Sequence, residues 1–271
     1  MPAIIPDPIS LTTHHLHLCF RPTDAVLSSG TGFIYEKAGT SYLVTNWHNV
    51  TGRNPLDGAC LSETLAVPDM VSTMFRAKGN AGTSRRENLP LYKDEAMQEP
   101  LWLCHPVHGR GVDVVAILLP IEIIDQYQLF PINRIEFDAS FRTEVADDAF
   151  VVGYPFSDIT YLQLPIWKRA SVASEPDVDL EQLPKIFIDT ATRSGLSGSP
   201  VVMQRVGLHG VSGGKLTGSE IIGRIRNFIG VYSGRIGKDE SKAQLGIVWK
   251  ARVIDEIIDG GVHGDVTTAQ V

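Results

Sequence analysis

Nowhere in the 271 residues is there a run approaching the roughly 20 apolar residues that a membrane-spanning helix needs, so no membrane partner is expected. Basic residues are in deficit. Against 31 Asp and Glu there are 24 Lys and Arg, a formal charge of -7, and a diffuse acidic excess gives phosphate backbones no clustered footprint, which excludes nucleic acid as an expected partner. The pair Arg85-Arg86 sits in polar surroundings and reads as solvated. Cysteine is scarce: Cys19, Cys60 and Cys104 are odd in number, and their spacing fits neither a disulfide framework nor a zinc ribbon, so reduced thiols are the simpler reading. The opening Met1-Pro2-Ala3-Ile4-Ile5-Pro6 has no basic stretch followed by an unbroken apolar one, so a secretory leader is not read there and the expected compartment is cytoplasmic. Internal repeats and low-complexity tracts are also missing.

What is present is an ordinary globular composition, 43% hydrophobic and 20% charged, with enough length for a sizeable core. Short β-branched and aromatic runs recur between Gly, Pro, Asn and Asp: Leu16–Phe20, Thr31–Tyr35, Ser41–Thr45, Val112–Leu119, Phe150–Tyr154, Ile166–Ser174, Lys185–Thr190, Phe228–Ser233 and Leu245–Trp249. Many short strands with turn signals between them predict an all-β protein, a sandwich or barrel. The clearest helix is Lys250–Asp259, where Val253, Ile254, Ile257 and Ile258 fall at helical spacing before Gly260-Gly261. Residues 77–100 are polar and aperiodic and read as a long surface loop, residues 121–141 as the connection between two halves, and the last residues as a frayed tail.

Three segments carry chemistry. In Ser194-Gly195-Leu196-Ser197-Gly198-Ser199-Pro200 a serine lies between glycines, which permit a tight turn able to aim consecutive N–H groups at one point. Donation from Gly195 and Ser197 would form an oxyanion hole, worth about 3–4 kcal/mol of transition-state stabilisation per donor; taken alone, the segment reads equally well as a glycine-rich turn. A serine hydroxyl needs an adjacent base, and His48 follows the strand-like Tyr42-Leu43-Val44-Thr45 within Asn46-Trp47-His48-Asn49. An imidazole in that role needs a carboxylate to fix its tautomer, and Asp113 lies among Val112, Val114 and Val115, where an aspartate without partners would be costly. The order His48, Asp113, Ser197 differs from the Ser, Asp, His order of α/β-hydrolases.

With these segments the chain resembles the chymotrypsin-like (trypsin-fold) serine peptidases, and among them the bacterial trypsin-like and Deg-type protease domains, without a PDZ domain. Thr45-Asn46-Trp47-His48 is similar to that family's Thr-Ala-Ala-His, Val112-Asp113-Val114-Val115 to its Asp-Ile-Ala strand, and Gly195 to Pro200 to its Gly-Asp-Ser-Gly-Gly-Pro. Ser29-Gly30-Thr31-Gly32-Phe33, Val151-Val152-Gly153-Tyr154-Pro155, Ile186-Phe187-Ile188-Asp189-Thr190 and Gly246-Ile247-Val248-Trp249-Lys250 resemble further strands of the family. The resemblance implies two antiparallel six-stranded Greek-key β-barrels with a short C-terminal helix. Residues 1–125 would carry His48 and Asp113, residues 126–260 would carry Ser197, and 261–271 would be a flexible tail. It implies a serine endopeptidase with the triad His48, Asp113 and Ser197, an oxyanion hole of Gly195 and Ser197, a peptide or protein substrate and no cofactor. Three departures stand out: Asn49 where secreted members place a disulfide cysteine, Leu196 for a polar residue and Ser199 for a glycine.

The resemblance also puts Ala191, six residues before Ser197, at the base of the pocket for the residue preceding the cut bond (P1). Thr192, Ser233, Gly234 and Gly246 are further pocket or substrate-strand residues. With no carboxylate at 191, a small or apolar P1 preference is expected, and Asp189 complicates this only if it points inward. His14, His15 and His17 invite a metal reading, but no Cys, Asp or Glu at ligand spacing completes a set, so no metal is expected. Cys104, His105 and His108 precede Asp113 closely and read as a surface turn. A non-catalytic peptide-binding protein of this fold and an esterase on the same scaffold remain alternatives.

Overall fold

The structure, a computed structural model, describes residues 5–23, 25–63, 65–79, 83–138, 142–155, 163–191, 193–209, 218, 220–235 and 244–265. The chain runs through α1 (Pro8–Thr12), β1 (Thr13–Phe20), β2 (Ala25–Lys37), β3 (Thr40–Thr45), α2 (Trp47–Thr51), β4 (Met70–Ala77), β5 (Ser84–Pro90), β6 (Trp102–Cys104), β7 (Val115–Leu118), α3 (Ile121–Gln126) and β8 (Tyr127–Gln128). It continues through β9 (Asp148–Gly153), β10 (Ile166–Val172), β11 (Lys185–Asp189), β12 (Pro200–His209), β13 (Ile221–Arg235), β14 (Leu245–Lys250), α4 (Arg252–Gly260) and β15 (Val262–His263). None of the described helices is long and apolar enough to cross a membrane.

The second half closes as a six-stranded antiparallel barrel in the order β10-β11-β14-β13-β12-β9. Leucine, valine and isoleucine side chains pointing inward fill it: Val151, Ile186, Ile188, Leu196, Val201 and Val248 form one buried cluster. The first half is a nine-stranded sheet in the order β15-β6-β7-β3-β2-β1-β4-β5, with β8 paired to β4. Its core gathers Leu16, Leu18, Ile34, Leu43, Phe75 and Trp102. The β5 side approaches the β6 side where the Leu101 N–H donates to the Leu91 carbonyl at 2.9 Å, so this sheet also curls round its core.

Each terminus reaches over the opposite half. Asp7 caps α1, its Oδ1 accepting the Ile9 N–H at 3.0 Å with Pro8 preset for the first turn. Ile9 then packs with Val152 and Val202 of the second barrel. At the other end, Val253, Ile254 and Ile257 of α4 are fully buried with Phe33, Val44, Val112 and Val114. Burial of that kind contributes about 1.5–3 kcal/mol per side chain as an upper figure. Gly261, in left-handed backbone at φ 59°, ends α4 by donating its N–H to the Ile257 carbonyl at 3.2 Å.

Three expectations need correction. Residues 77–100 are not one long loop: β5 pairs with β4 from Met70↔Pro90 to Arg76↔Ser84. Within β5 only Leu89 is buried, and Arg85 and Arg86 are exposed, so its charged composition hid an edge strand of the kind that resists further pairing. The run from Val112 is strand only from Val115. Before it, the Val114 N–H folds back to the Val112 carbonyl at 2.8 Å, and Asp113 sits in that tight turn. Residues 262–264 are docked rather than loose, with Val262↔Cys104 and His263↔Leu103 paired and the Gly264 N–H on the Trp102 carbonyl at 3.0 Å. The rest of the expected tail, 266–271, lies outside the described residues.

The three early histidines are built into the first sheet. His14 Nδ1 lies 3.0 Å from the Met74 carbonyl and its ring lies against Phe75, while His15 stacks on Tyr154 at 5.1 Å. Among the described residues no group of three metal-ligating side chains occurs. Burial drives the His14 pKa down to about 4, against the bond to Met74 and helped by the charge of Arg76; His17 is lowered too, first by burial and then by Arg86. A folded-state value below the unfolded one means that the unfolded chain takes up the extra proton. The stability from a neutral His14 is therefore complete above about pH 6.5 and drains away as the pH falls toward 4. Melting temperature should drop between pH 7 and pH 5, and drop less for His14→Leu; parallel profiles for the two proteins would refute this account.

Candidate active site

His48 lies on α2, the five-residue helix that follows β3. Gly52, at φ 63°, ends it with its N–H on the His48 carbonyl at 2.9 Å. Asn46 stands at the N-cap, but its amide reaches elsewhere, donating from Nδ2 to the Asp113 carbonyl at 2.7 Å. The helix start and the turn before β7 are thereby fastened together.

Asp113 is 1% exposed, a position that a carboxylate tolerates only with donors around it. It has three. Oδ1 accepts the His48 backbone N–H at 2.9 Å, and Oδ2 lies 2.6 Å from His48 Nδ1 and accepts the Ser233 hydroxyl. Because an ionised carboxylate only accepts, the proton of a neutral His48 belongs on Nδ1, which leaves Nε2 with a free lone pair.

The Ser197 loop is anchored to the same neighbourhood through its backbone. The Ser197 carbonyl accepts the Thr31 N–H at 2.8 Å and Asn49 Nδ2 at 3.1 Å, and Asn49 is the residue after His48. Gly195 and Gly198 both have positive φ, 87° and 86°. A Cβ on Gly195 would lie 2.3 Å from the Tyr154 carbonyl oxygen, and one on Gly198 2.1 Å from that of Thr31, so both positions exclude side chains by space as well as by torsion. The Leu196, Gly198 and Ser199 N–H groups bond to Arg193, Tyr232 and Leu196 carbonyls, whereas those of Gly195 and Ser197 donate to no acceptor among the described residues.

The departures from the family pattern have local explanations. Leu196 is fully buried in the second-barrel core, where it anchors the loop as an apolar plug in place of a polar contact. Ser199 is buried against Gly153, where any Cβ would lie 2.0 Å from its Oγ, so the glycine makes room for the added hydroxymethyl. Asn49 ties α2 to Thr45 Oγ1 at 2.9 Å and to the Ser197 loop, and its amide fills the space over Gly30, 2.6 Å from where a Cβ would stand. Hydrogen bonds replace a covalent link there.

Sequence reasoning missed Thr31 as a site residue. Besides its N–H bond to Ser197, its Oγ1 donates to the Gly195 carbonyl at 2.8 Å and accepts the Tyr154 N–H at 3.1 Å, and its carbonyl accepts Thr45 Oγ1 at 2.8 Å. The signal was a buried hydroxyl between two glycines on an apolar strand. Of the expected pocket residues, Ser233 donates its hydroxyl to the Asp113 carboxylate. Ala191 is exposed just beyond β11, Gly234 follows Ser233 near the end of β13, and Gly246 is buried on β14 opposite Ile188. Thr192 lies outside the described residues. Asp189 is exposed at the end of β11. The expected turn is present, with residues 106–108 exposed; His105 is buried at its base, its Nδ1 accepting the Val107 and His108 N–H groups at 3.2 Å and its Nε2 lying 2.9 Å from Glu256 on α4.

No protein-family model and no curated protein matches the chain. Among solved structures, it is similar to a serine endoprotease from Yersinia pestis, with a TM-score of 0.50 and 11% identity over 94% of this chain and 67% of that one. It is also similar to the active form of the Rv3671c protease from M. tuberculosis, with a TM-score of 0.48 and 15% identity over 96% of this chain and 85% of that one. The fold is the two-barrel fold of the trypsin-like serine proteases.

Proposed function

We propose that the protein is a serine endopeptidase in which Ser197, His48 and Asp113 act as the triad. The observation that carries this reading is the buried Asp113 carboxylate, one oxygen on the His48 N–H and the other 2.6 Å from Nδ1, at the site where Asn49 meets the Ser197 carbonyl. The Ser197 hydroxyl attacks the peptide carbonyl while His48 Nε2 takes its proton. The tetrahedral oxyanion sits against the Gly195 and Ser197 N–H groups, and its collapse expels the amine, which receives the proton from His48. Water then repeats the sequence on the acyl-enzyme, releasing the acid and restoring Ser197. The substrate is a peptide or protein, and the chain itself supplies every group these steps use. No disulfide joins Cys19, Cys60 and Cys104, which favours a reducing, cytoplasmic setting.

Covalent labelling by a fluorophosphonate, with casein or peptide turnover beside it, tests the reading. Wild type is expected to be labelled and to cut peptide. Labelling with turnover of activated esters alone would make the protein an esterase, and no labelling would make it a non-catalytic binder.

Thr31 acts as a positioning residue, since it holds both ends of the Gly195–Ser197 segment. Thr31→Val keeps the shape and removes the donor to Gly195, and loss of such a buried bond is worth about 1–3 kcal/mol. The expected result is a roughly tenfold lower kcat with little change in KM, and recovery in Thr31→Ser. Equal kcat in wild type and Thr31→Val would remove that role.

A further inference from the structure

Behind α2, in the first half of the chain, lies a cavity of about 280 Å³ that no residue of the Ser197 loop lines. Trp47 and Thr51, a helical turn apart and so on one face of α2, form one wall. His48 leaves the helix in another direction, toward Asp113. Tyr92, Val67 and Met97 extend the apolar surface, and Trp47 and Tyr92 are each only 4% exposed.

Charge enters this lining through Arg53, Arg110 and Asp265. Elsewhere arginines are paired: Arg21, Arg169 and Arg226 each have a carboxylate oxygen within 3.0 Å. Among the described residues Arg53 and Arg110 have no such ion pair. Arg53 Nη1 donates to the Gly58 carbonyl at 3.2 Å, and its charge is felt at Tyr92, whose phenol burial pushes up to about 12 against the pull of that guanidinium. Two cations against one carboxylate make a positive pocket in a protein of formal charge -7.

The Met97 side of the cavity is preset. The Asp94 carboxylate accepts the Gln98 and Glu99 N–H groups at 2.9 and 2.8 Å, which fixes the turn carrying Met97 in left-handed backbone at φ 58°. A wall already ordered loses little freedom when a ligand enters.

We propose that this cavity binds a small organic acid, its apolar body against Trp47, Tyr92 and Met97 and its carboxylate on Arg53 and Arg110. Guanidinium forks match the geometry of a carboxylate, and an apolar body gains by leaving water for aromatic walls. A compact polyanion such as phosphate would satisfy the arginines but leave those walls uncovered, so it fits less well.

Calorimetric titration with phenylacetate tests this, beside phenylacetamide, its neutral counterpart of similar shape, and inorganic phosphate. Phenylacetate is expected to bind wild type at one site per chain, at least about tenfold more tightly than either of the others, and to lose about tenfold in Arg110→Met and in Arg53→Met. Arg110 makes no hydrogen bond among the described residues, so Arg110→Met should keep the wild-type melting temperature without ligand, and Arg110→Lys should recover part of the affinity. Ser197→Ala should bind phenylacetate as wild type does. Binding is read without turnover, so the result does not depend on the peptidase reading. Equal affinity for acid and amide, preference for phosphate, or unchanged affinity in Arg110→Met overturns the proposal. So does loss of binding in Ser197→Ala, which would put the acid in the reacting cleft, and so does no binding to wild type at about 10 mM phenylacetate.

Discussion

Ser197→Ala is expected to lower peptide hydrolysis by roughly a millionfold and to abolish fluorophosphonate labelling, with His48→Ala nearly as severe and the double variant no worse than either. The non-additivity is the informative part. A hydroxyl without a base is a poor nucleophile, and a base without a hydroxyl has no proton to take, so removing one member removes what the other contributes. Stability should change little in Ser197→Ala, because the ties of that residue to Thr31 and Asn49 run through its carbonyl, which alanine keeps. Hydrolysis in Ser197→Ala within about tenfold of wild type, at an unchanged melting temperature, would refute the nucleophile assignment.

How far sequence reasoning reached depends on where the physical signal was local. Strands with β-branched cores stand out by composition: Ser41–Thr45 is found as Thr40–Thr45, and Lys185–Thr190 as Lys185–Asp189. Helix α4 stands out for the same kind of reason, since three isoleucines and a valine share one face. β13 extends well before the expected Phe228. Its outer part pairs with β12 as an exposed ribbon, with Val206 72% and Ile222 83% exposed, so burial imposes no pattern there. β5 was lost because its charged, mostly exposed edge residues carry no apolar rhythm, and β4, held between β1 and β5, because it buries Ser72 and Thr73 beside Met70, Val71 and Phe75, so its composition does not alternate.

The segments around His48, Asp113 and Ser197 were legible singly, each holding a polar residue where packing alone would not ask for one. What joins them was not. Thr31 meets Gly195 across 164 residues and Asn49 meets Ser197 across 148, and a contact between such distant positions leaves no trace in either local stretch. The same holds for the bond from Ser233 to Asp113, which spans 120 residues.

Those contacts set the second large expectation, that Asp113→Asn lowers kcat by about 10⁴ while the protein stays folded. The carboxylate oxygens face three donors, the His48 N–H, Nδ1–H and the Ser233 hydroxyl. An amide offers one accepting oxygen and turns an NH₂ toward the other side. With its oxygen kept on the His48 N–H, the NH₂ faces Nδ1, which must then accept; the imidazole proton moves to Nε2, and His48 can no longer take a proton from Ser197. With the amide reversed, the NH₂ opposes the His48 N–H, at about 1–3 kcal/mol for the unsatisfied pair, which favours the first orientation and its wrong tautomer. Ser233→Ala removes only one donor and leaves both oxygens accepting from His48, so its loss should be about tenfold. Labelling rates for wild type, Asp113→Asn and Ser233→Ala, with melting temperatures alongside, separate these effects. If Asp113→Asn reacts within about tenfold of wild type, tautomer control by Asp113 is wrong, and His48 draws its orientation from elsewhere in the site.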